Sequence, residues 1–337
     1  MILSGVVERW RRNVGKHSVF SVASEAEKVA IGYPGFFRGF IEFVDFNGSV
    51  VRKIKTKDLT QIAVTSDASK IYLLSAGGKI FSYNYNGEKL RKYKGGNVLK
   101  ISDDGSMLTN GDILMDEQGK VLFKPFKKQL VCDVFTKELK KKIFLCEIDI
   151  APSGRHILVS GFCHEDKFIY PRLYHLTYEY RYVYIRPESI ALLLKLREKE
   201  RSSRWRCIPW TPPQLSIDRK VCLQDSFIAT ALIDTLGALN IQYFDIEGNL
   251  KQVYRILNPQ FIGEIKQFYA TPNAKYIFYT LKGKERKKNI YIFDVENRKL
   301  MIKTLDIKGG IDDFKTSKDG RNLFIFSKGE LIAFNIH

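Results

Sequence analysis

The chain has few of the residue patterns that mark chemistry or a membrane. Its five cysteines (Cys132, Cys146, Cys163, Cys207 and Cys222) are odd in number and widely spaced, with no C-x-x-C pair. That excludes a disulfide framework and a zinc module, and the five read as buried thiols. The longest helical apolar run, Ile190-Ala191-Leu192-Leu193-Leu194, is far short of the roughly 18 residues a membrane span needs. The N-terminus reaches Glu8 and Arg9 before any region long enough for a signal peptide, so the expected compartment is the cytoplasm, with no membrane partner.

Catalytic signatures are missing as well. Gly15-Lys16, Gly78-Lys79, Gly119-Lys120 and Gly283-Lys284 are never followed by Ser or Thr, and no phosphate-binding loop exists. H-E-x-x-H and G-x-S-x-G are absent, and His17, His156, His164, His175 and His337 show no ligand spacing. Cys163-His164-Glu165-Asp166 holds a nucleophile and bases in sequence, but neighbours at a strand end diverge in space. Asp103-Asp104 falls in a repeated turn and Asp312-Asp313 near the start of a repeat, where Asp satisfies backbone N–H groups. No enzyme activity, catalytic residue, metal or cofactor is expected. Acidic residues are also scarce, 37 against 55 Lys and Arg, a formal net charge of +18 that attracts anionic partners. With 45% apolar, 27% charged and 13% aromatic residues the chain folds.

What it does have is an internal repeat. A strand enters a tight turn with a small residue, a second strand leaves, a third follows, and a Gly-type hairpin leads into a fourth. The first turn recurs at Ser24–Lys28, Ser66–Lys70, Asp103–Ser106, Pro152–Arg155, Pro272–Lys275 and Lys318–Arg321. The hairpin recurs at Asn47-Gly48, Asn86-Gly87, Gln118-Gly119, Glu247-Gly248 and Asn297-Arg298. Spacings of 42, 37 and 49 separate Ala26, Ala68, Gly105 and Gly154, close to the roughly 40 to 50 residues of a propeller blade. The jump of 120 from Gly154 to Ala274 holds one more unit, built on Phe227–Ile233 and Ala238–Tyr243. Seven units result. The last ends at its third strand, Leu331–His337, and residues 1–12 supply the missing fourth, since Ser4–Arg11 parallels Asn47–Lys53.

On these repeats the chain resembles the WD40-like or YVTN-like β-propeller superfamily, although the Gly-His and Trp-Asp dipeptides of WD40 proper are absent. The resemblance implies an all-β, seven-bladed β-propeller of four-stranded antiparallel blades in one domain, residues 1–337, and a scaffold for binding other macromolecules.

One segment breaks the rhythm. Residues 187–210 read as a helical insertion between the fourth and fifth units, with Ile190, Leu193 and Leu194 at i, i+3 and i+4. Its basic half carries Lys195, Arg197, Arg201, Arg204 and Arg206, with Trp205 and Trp210. With Arg181 and Arg186, which flank a run of tyrosines at even positions from Tyr170 to Tyr184, these form the candidate partner-binding surface. A helix packed on the propeller side, its basic groups favoured near the C-terminus by the dipole, is the structural account of the same residues. Further positive charge falls in fourth strands, at Arg9, Arg11 and Arg12, Arg52-Lys53-Ile54-Lys55 and Lys89-Leu90-Arg91-Lys92, where Lys also protects a sheet edge. The expected partner is a protein, with nucleic acid as the second class. The expected state is a monomeric propeller within a larger assembly.

Overall fold

The computed structural model describes residues 5–35, 38–123, 143–163, 169–176, 180–185, 191–196, 205–208, 220–233, 238–246, 249–257, 265–282, 288–307 and 309–337. All the regular structure among them is β. Strand β1 (Val6–Asn13) comes first. The first sheet is β2 (Val19–Ala23), β3 (Lys28–Tyr33), β4 (Gly39–Asp45) and β5 (Val50–Thr56); the second is β6 (Gln61–Val64), β7 (Lys70–Leu74), β8 (Ile80–Asn84) and β9 (Lys89–Tyr93). The third is β10 (Lys100–Ile101), β11 (Met107–Thr109), β12 (Leu114–Asp116) and β13 (Val121–Phe123). The fourth joins β14 (Ile143–Ile150), β15 (His156–Cys163) and β16 (Ile169–Leu176) to β19 (Trp205–Ile208), and a two-stranded ladder, β17 (Tyr180–Ile185) with β18 (Ala191–Leu196), intervenes in the chain. The fifth is β20 (Lys220–Leu223), β21 (Phe227–Ile233), β22 (Ala238–Asp245) and β23 (Leu250–Leu257). The sixth is β24 (Ile265–Ala270), β25 (Tyr276–Leu281), β26 (Asn289–Asp294) and β27 (Lys299–Thr304). The seventh is β28 (Asp313–Thr316), β29 (Asn322–Ser327) and β30 (Glu330–Ile336), with β1 as its fourth strand. Seven four-stranded antiparallel sheets in this order are consistent with a propeller-like all-β architecture.

Turn chemistry explains why the strands begin and end where they do. In four first turns a hydroxyl accepts the backbone N–H five residues on, at 3.0 Å each: Thr65 from Lys70, Ser102 from Met107, Thr271 from Tyr276 and Ser317 from Asn322. The same hydroxyl donates to a side chain two residues along, Asp67, Asp104, Asn273 or Asp319. The tight corner is left-handed at Ala68, Gly105, Gly154, Ala274 and Gly320. In the first sheet this residue is Glu27, φ 49°, one place after the Ala26 that the spacing suggests. The second turn is held by an acidic or amide residue at the end of the third strand. Asp45, Asn84, Asp116 and Asp245 each accept the N–H four residues on, from Ser49, Glu88, Lys120 and Asn249.

Most fourth strands carry a β-bulge near their start. The register slips at β1, β5, β9, β13 and β23, leaving Val51 in β5 and Leu90 in β9 as extra residues. A bulge bends and twists an outer strand, which discourages edge-to-edge pairing.

The chain divides into two compact units, residues 1–99 with 260–337, and residues 100–259. In the first, four sheets pack face to face through three clusters of buried side chains. Phe278, Ile292, Leu323 and Phe334 fill the space between the sixth and seventh sheets, and Phe20, Val29, Phe324 and Leu331 that between the seventh and first. Ile41, Phe43, Ile62 and Ile71 do so between the first and second. Their first turns are also linked, Lys318 N to Ser24 Oγ and Glu25 N to Ser66 O. The second unit repeats this device, Asp103 N to Pro152 O and Ser153 N to Asp225 Oδ1.

The helical insertion is not observed. Within 187–210, Ala191–Leu196 is a strand paired antiparallel with Tyr180–Ile185, and Trp205–Ile208 is the fourth strand of the fourth sheet, paired with Leu173–Leu176. A short apolar run has no period of its own, and a neighbouring extended, tyrosine-rich strand offers it a ladder that a helix would forgo.

Candidate interaction surface

The residues singled out from the sequence are not gathered on one helix. Arg181 and Lys195 occupy opposing positions of the β17–β18 ladder, and Trp205 and Arg206 stand in β19 opposite Leu176 and His175. Arg186, Arg197, Arg201, Arg204 and Trp210 lie outside the described residues.

Charge is spread unevenly over the two units. Residues 1–99 and 260–337 hold 31 Lys and Arg against 17 Asp and Glu, whereas residues 100–259 hold 24 against 20. Most of the excess therefore belongs to the first unit. Its edge strands β5 and β9 expose Lys53, Lys55, Lys89 and Lys92, and on the same strands Val50, Val51 and Leu90 stay 43%, 49% and 52% exposed.

Lys89 and three further cations are stacked on aromatic rings at the seam between the first and second sheets. Lys28 Nζ and Arg52 Cζ lie 4.9 and 4.8 Å from the ring centre of Tyr85, which meets Phe43 edge-on. Lys57 and Lys89 lie 5.9 and 4.5 Å from that of Phe81. Among the described residues none of the four cations has a carboxylate partner. Sequence reading finds Arg52 and Lys89 as fourth-strand charge but misses Lys28, Lys57 and both rings, because these come from four separate places in the chain and meet only once the two sheets are packed.

A contrasting arrangement joins the seventh and first sheets. Glu42, 1% exposed, accepts from Arg12 at 2.7 Å, Lys53 at 2.8 Å and the Tyr33 hydroxyl at 3.1 Å. Burial, and then the Glu42 charge, push the Tyr33 phenol up to about 12. Beside it Trp10 donates to Phe46 O at 3.0 Å and covers Gly48, whose φ of 95° no larger residue adopts easily. Here charge is spent on holding sheets together.

A cavity of about 370 Å³ opens at the starts of first strands in this unit, between Val19, Phe20, Gln61, Ile62, Leu99, Asp313 and Phe326. Asp313 accepts from Gln267 Nε2 at 3.0 Å and Phe314 N at 2.9 Å, and Asp312 accepts from Lys328 N at 2.7 Å. Both carboxylates do the backbone and inter-sheet work that their place in the repeat suggests. Lys315, also in the lining, is stacked on Phe20 at 5.3 Å. Among the described residues no cluster of His, Cys, Asp or Glu is placed to hold a metal ion, and no helix is long and apolar enough to cross a membrane.

No protein-family model matches the chain, and no curated protein sequence does. The class of protein therefore rests on its seven sheets.

Proposed function

We propose that the chain is a closed seven-bladed β-propeller acting in the cytoplasm as a non-catalytic scaffold for protein partners. The carrying observation is the surface of the first unit, where exposed aliphatic residues stand beside cations in the fourth strands of its first two sheets. Half-exposed Val50, Val51 and Leu90 beside Lys53, Lys55 and Lys92 make a surface both apolar and charged, the mixture that recognises protein. Consumption of carboxylates by structure supports the non-catalytic part. Asp45, Asp67, Asp104, Asp116, Asp245, Asp294 and Asp319 each hold turn N–H groups, a role that leaves them spread along the sheets.

Isolation of the tagged full-length chain from nuclease-treated extracts of its own cells tests this reading. Reproducible protein partners, with the chain eluting well above its 38.9 kDa, are expected. Elution at monomer mass, or recovery of nucleic acid alone, overturns it.

A further inference from the structure

We infer that the cavity at the starts of the first strands is a binding site for a free α-amino acid with an apolar side chain. The inference goes beyond the scaffold reading and does not depend on it. The cavity, about 370 Å³, lies within the first unit and is at the small end of the ~300–1,000 Å³ that ligand pockets span, a size for a metabolite. Val19, Ile62, Leu99 and Phe326 give it apolar walls, and its charged groups come from one short stretch, Asp312, Asp313 and Lys315. Apolar walls with a few placed polar groups are the composition of a small-molecule site.

Asp313 and Lys315 stand two residues apart in β28, about 7 Å along the strand and on one face of it. Opposite charges so placed can pair directly. Here the Lys315 ammonium lies 5.3 Å from the ring centre of Phe20 instead, and among the described residues it has no carboxylate partner. Asp313 commits only Oδ1 to structure, accepting from Gln267 Nε2 at 3.0 Å and Phe314 N at 2.9 Å, and Asp312 commits only Oδ2, to Lys328 N at 2.7 Å. Asp313 Oδ2 and Asp312 Oδ1 accept no hydrogen bond among the described residues. The bonds already made fix both carboxylates and the ring holds the ammonium, so charges of both signs are set apart at the cavity in advance of a ligand.

That pattern selects a zwitterion. An anion would meet Lys315 but also two carboxylates, a cation would meet the carboxylates but also Lys315, and a wholly apolar ligand would take water from all three without replacing its hydrogen bonds. An α-amino acid answers each group: its ammonium donates to Asp313 Oδ2 and Asp312 Oδ1, its carboxylate accepts from Lys315, and its side chain lies against the apolar walls. The N-terminus of a peptide lacks the adjacent carboxylate and the C-terminus lacks the adjacent ammonium, which favours the free amino acid over the end of a partner chain.

Isothermal titration calorimetry of the full-length chain tests this with leucine, phenylalanine, glycine, leucinamide, N-acetyl-leucine and leucyl-leucine. Leucine or phenylalanine is expected to bind saturably, and glycine, leucinamide and N-acetyl-leucine at least about tenfold more weakly, since each lacks one of the three contacts. Lys315→Met, which keeps an unbranched stem on Phe20, is expected to weaken the better amino acid at least about tenfold and leucinamide not at all. Asp313→Asn, which keeps an acceptor for Gln267 and Phe314 N, is expected to weaken the amino acid and leucinamide alike. No binding of leucine or phenylalanine, equal binding of glycine, tighter binding of leucyl-leucine, or indifference to either variant overturns the site. Unchanged circular dichroism and melting in both variants separate lost binding from lost fold. The titration needs no cellular partner, so its failure leaves the scaffold reading standing, and absence of partners leaves the site standing.

Discussion

A single turn residue carries much of the information in this fold. The acidic residue that closes a third strand caps the following hairpin, as Asp245 does by accepting from Asn249 N at 2.8 Å and Asn249 Nδ2 at 3.0 Å, with Lys251 paired at 2.9 Å. Burial alone raises this carboxyl; hydrogen bonds from Asn249 and Lys251 outweigh it and hold the group at about 2, against an ordinary 3.8. Because the folded value lies below the unfolded one, the stabilisation is complete above about pH 4 and is lost as pH falls through about 2. Urea midpoints of the parent and Asp245→Asn are therefore expected to differ by a constant amount from pH 7 down to about 4 and to converge below it. A gap that stays constant to pH 2 contradicts this role. Turns of this kind are legible in sequence, because Asn-Gly, Asp and small left-handed residues are chosen by backbone geometry within a few residues. The exception, Glu27 in place of Ala26, comes where the first turn of the first sheet bonds across to Ser66 O of the second, a partner that sequence does not place.

At the scale of the element, two strands illustrate what patterning does and does not convey. Strand β1 is legible because it repeats the hairpin-and-strand pattern of Asn47–Val51 and the last sheet lacks a fourth strand. It pairs with β30 from Val6↔Ile336 to Asn13↔Glu330, joining the two ends of the chain in one sheet. Ala191–Leu196 reads as helix and is a strand, since a short run of Leu suits either and its partner Tyr180–Ile185 decides. The ladder alone does not fix β1 against the first sheet; Trp10 over Gly48 and the Arg12–Glu42–Lys53 group do. Glu42 is nearly inaccessible, so removing Arg12 leaves a buried carboxylate with only Lys53 and the Tyr33 hydroxyl as partners, a loss of about 1–3 kcal/mol. Arg12→Met is expected to lower stability by about that amount, and Arg12→Met with Glu42→Gln to recover at least half of it. Chemical denaturation of the two single variants and the double variant measures this; additive losses would show that Arg12 and Glu42 act independently.

For the whole molecule, the formal net charge of +18 is plain in the sequence, but its location is not. The basic residues between Arg181 and Trp210 stand out because they are adjacent in the chain. Charge that counts for association is adjacent in space, and alternation along β5, β8 and β9 scatters the seam cations over residues 28 to 89 of the sequence. Acidic residues matter equally. The unit with Arg181 and Arg206 balances 24 basic residues with 20 acidic ones, so its field is weak, whereas the unit with the seam has 31 against 17. Retention of the protein on a polyanionic resin such as heparin reads out this summed field, and every cation that no longer meets a sulfate lowers the salt needed for elution. Reversing two seam charges, Lys57→Glu with Lys89→Glu, is therefore expected to lower the eluting salt concentration more than reversing Arg181→Glu with Arg206→Glu. Both pairs change net charge by the same amount, so a difference between them reports placement rather than total charge. The opposite order would return the anion-facing surface to residues 181–210.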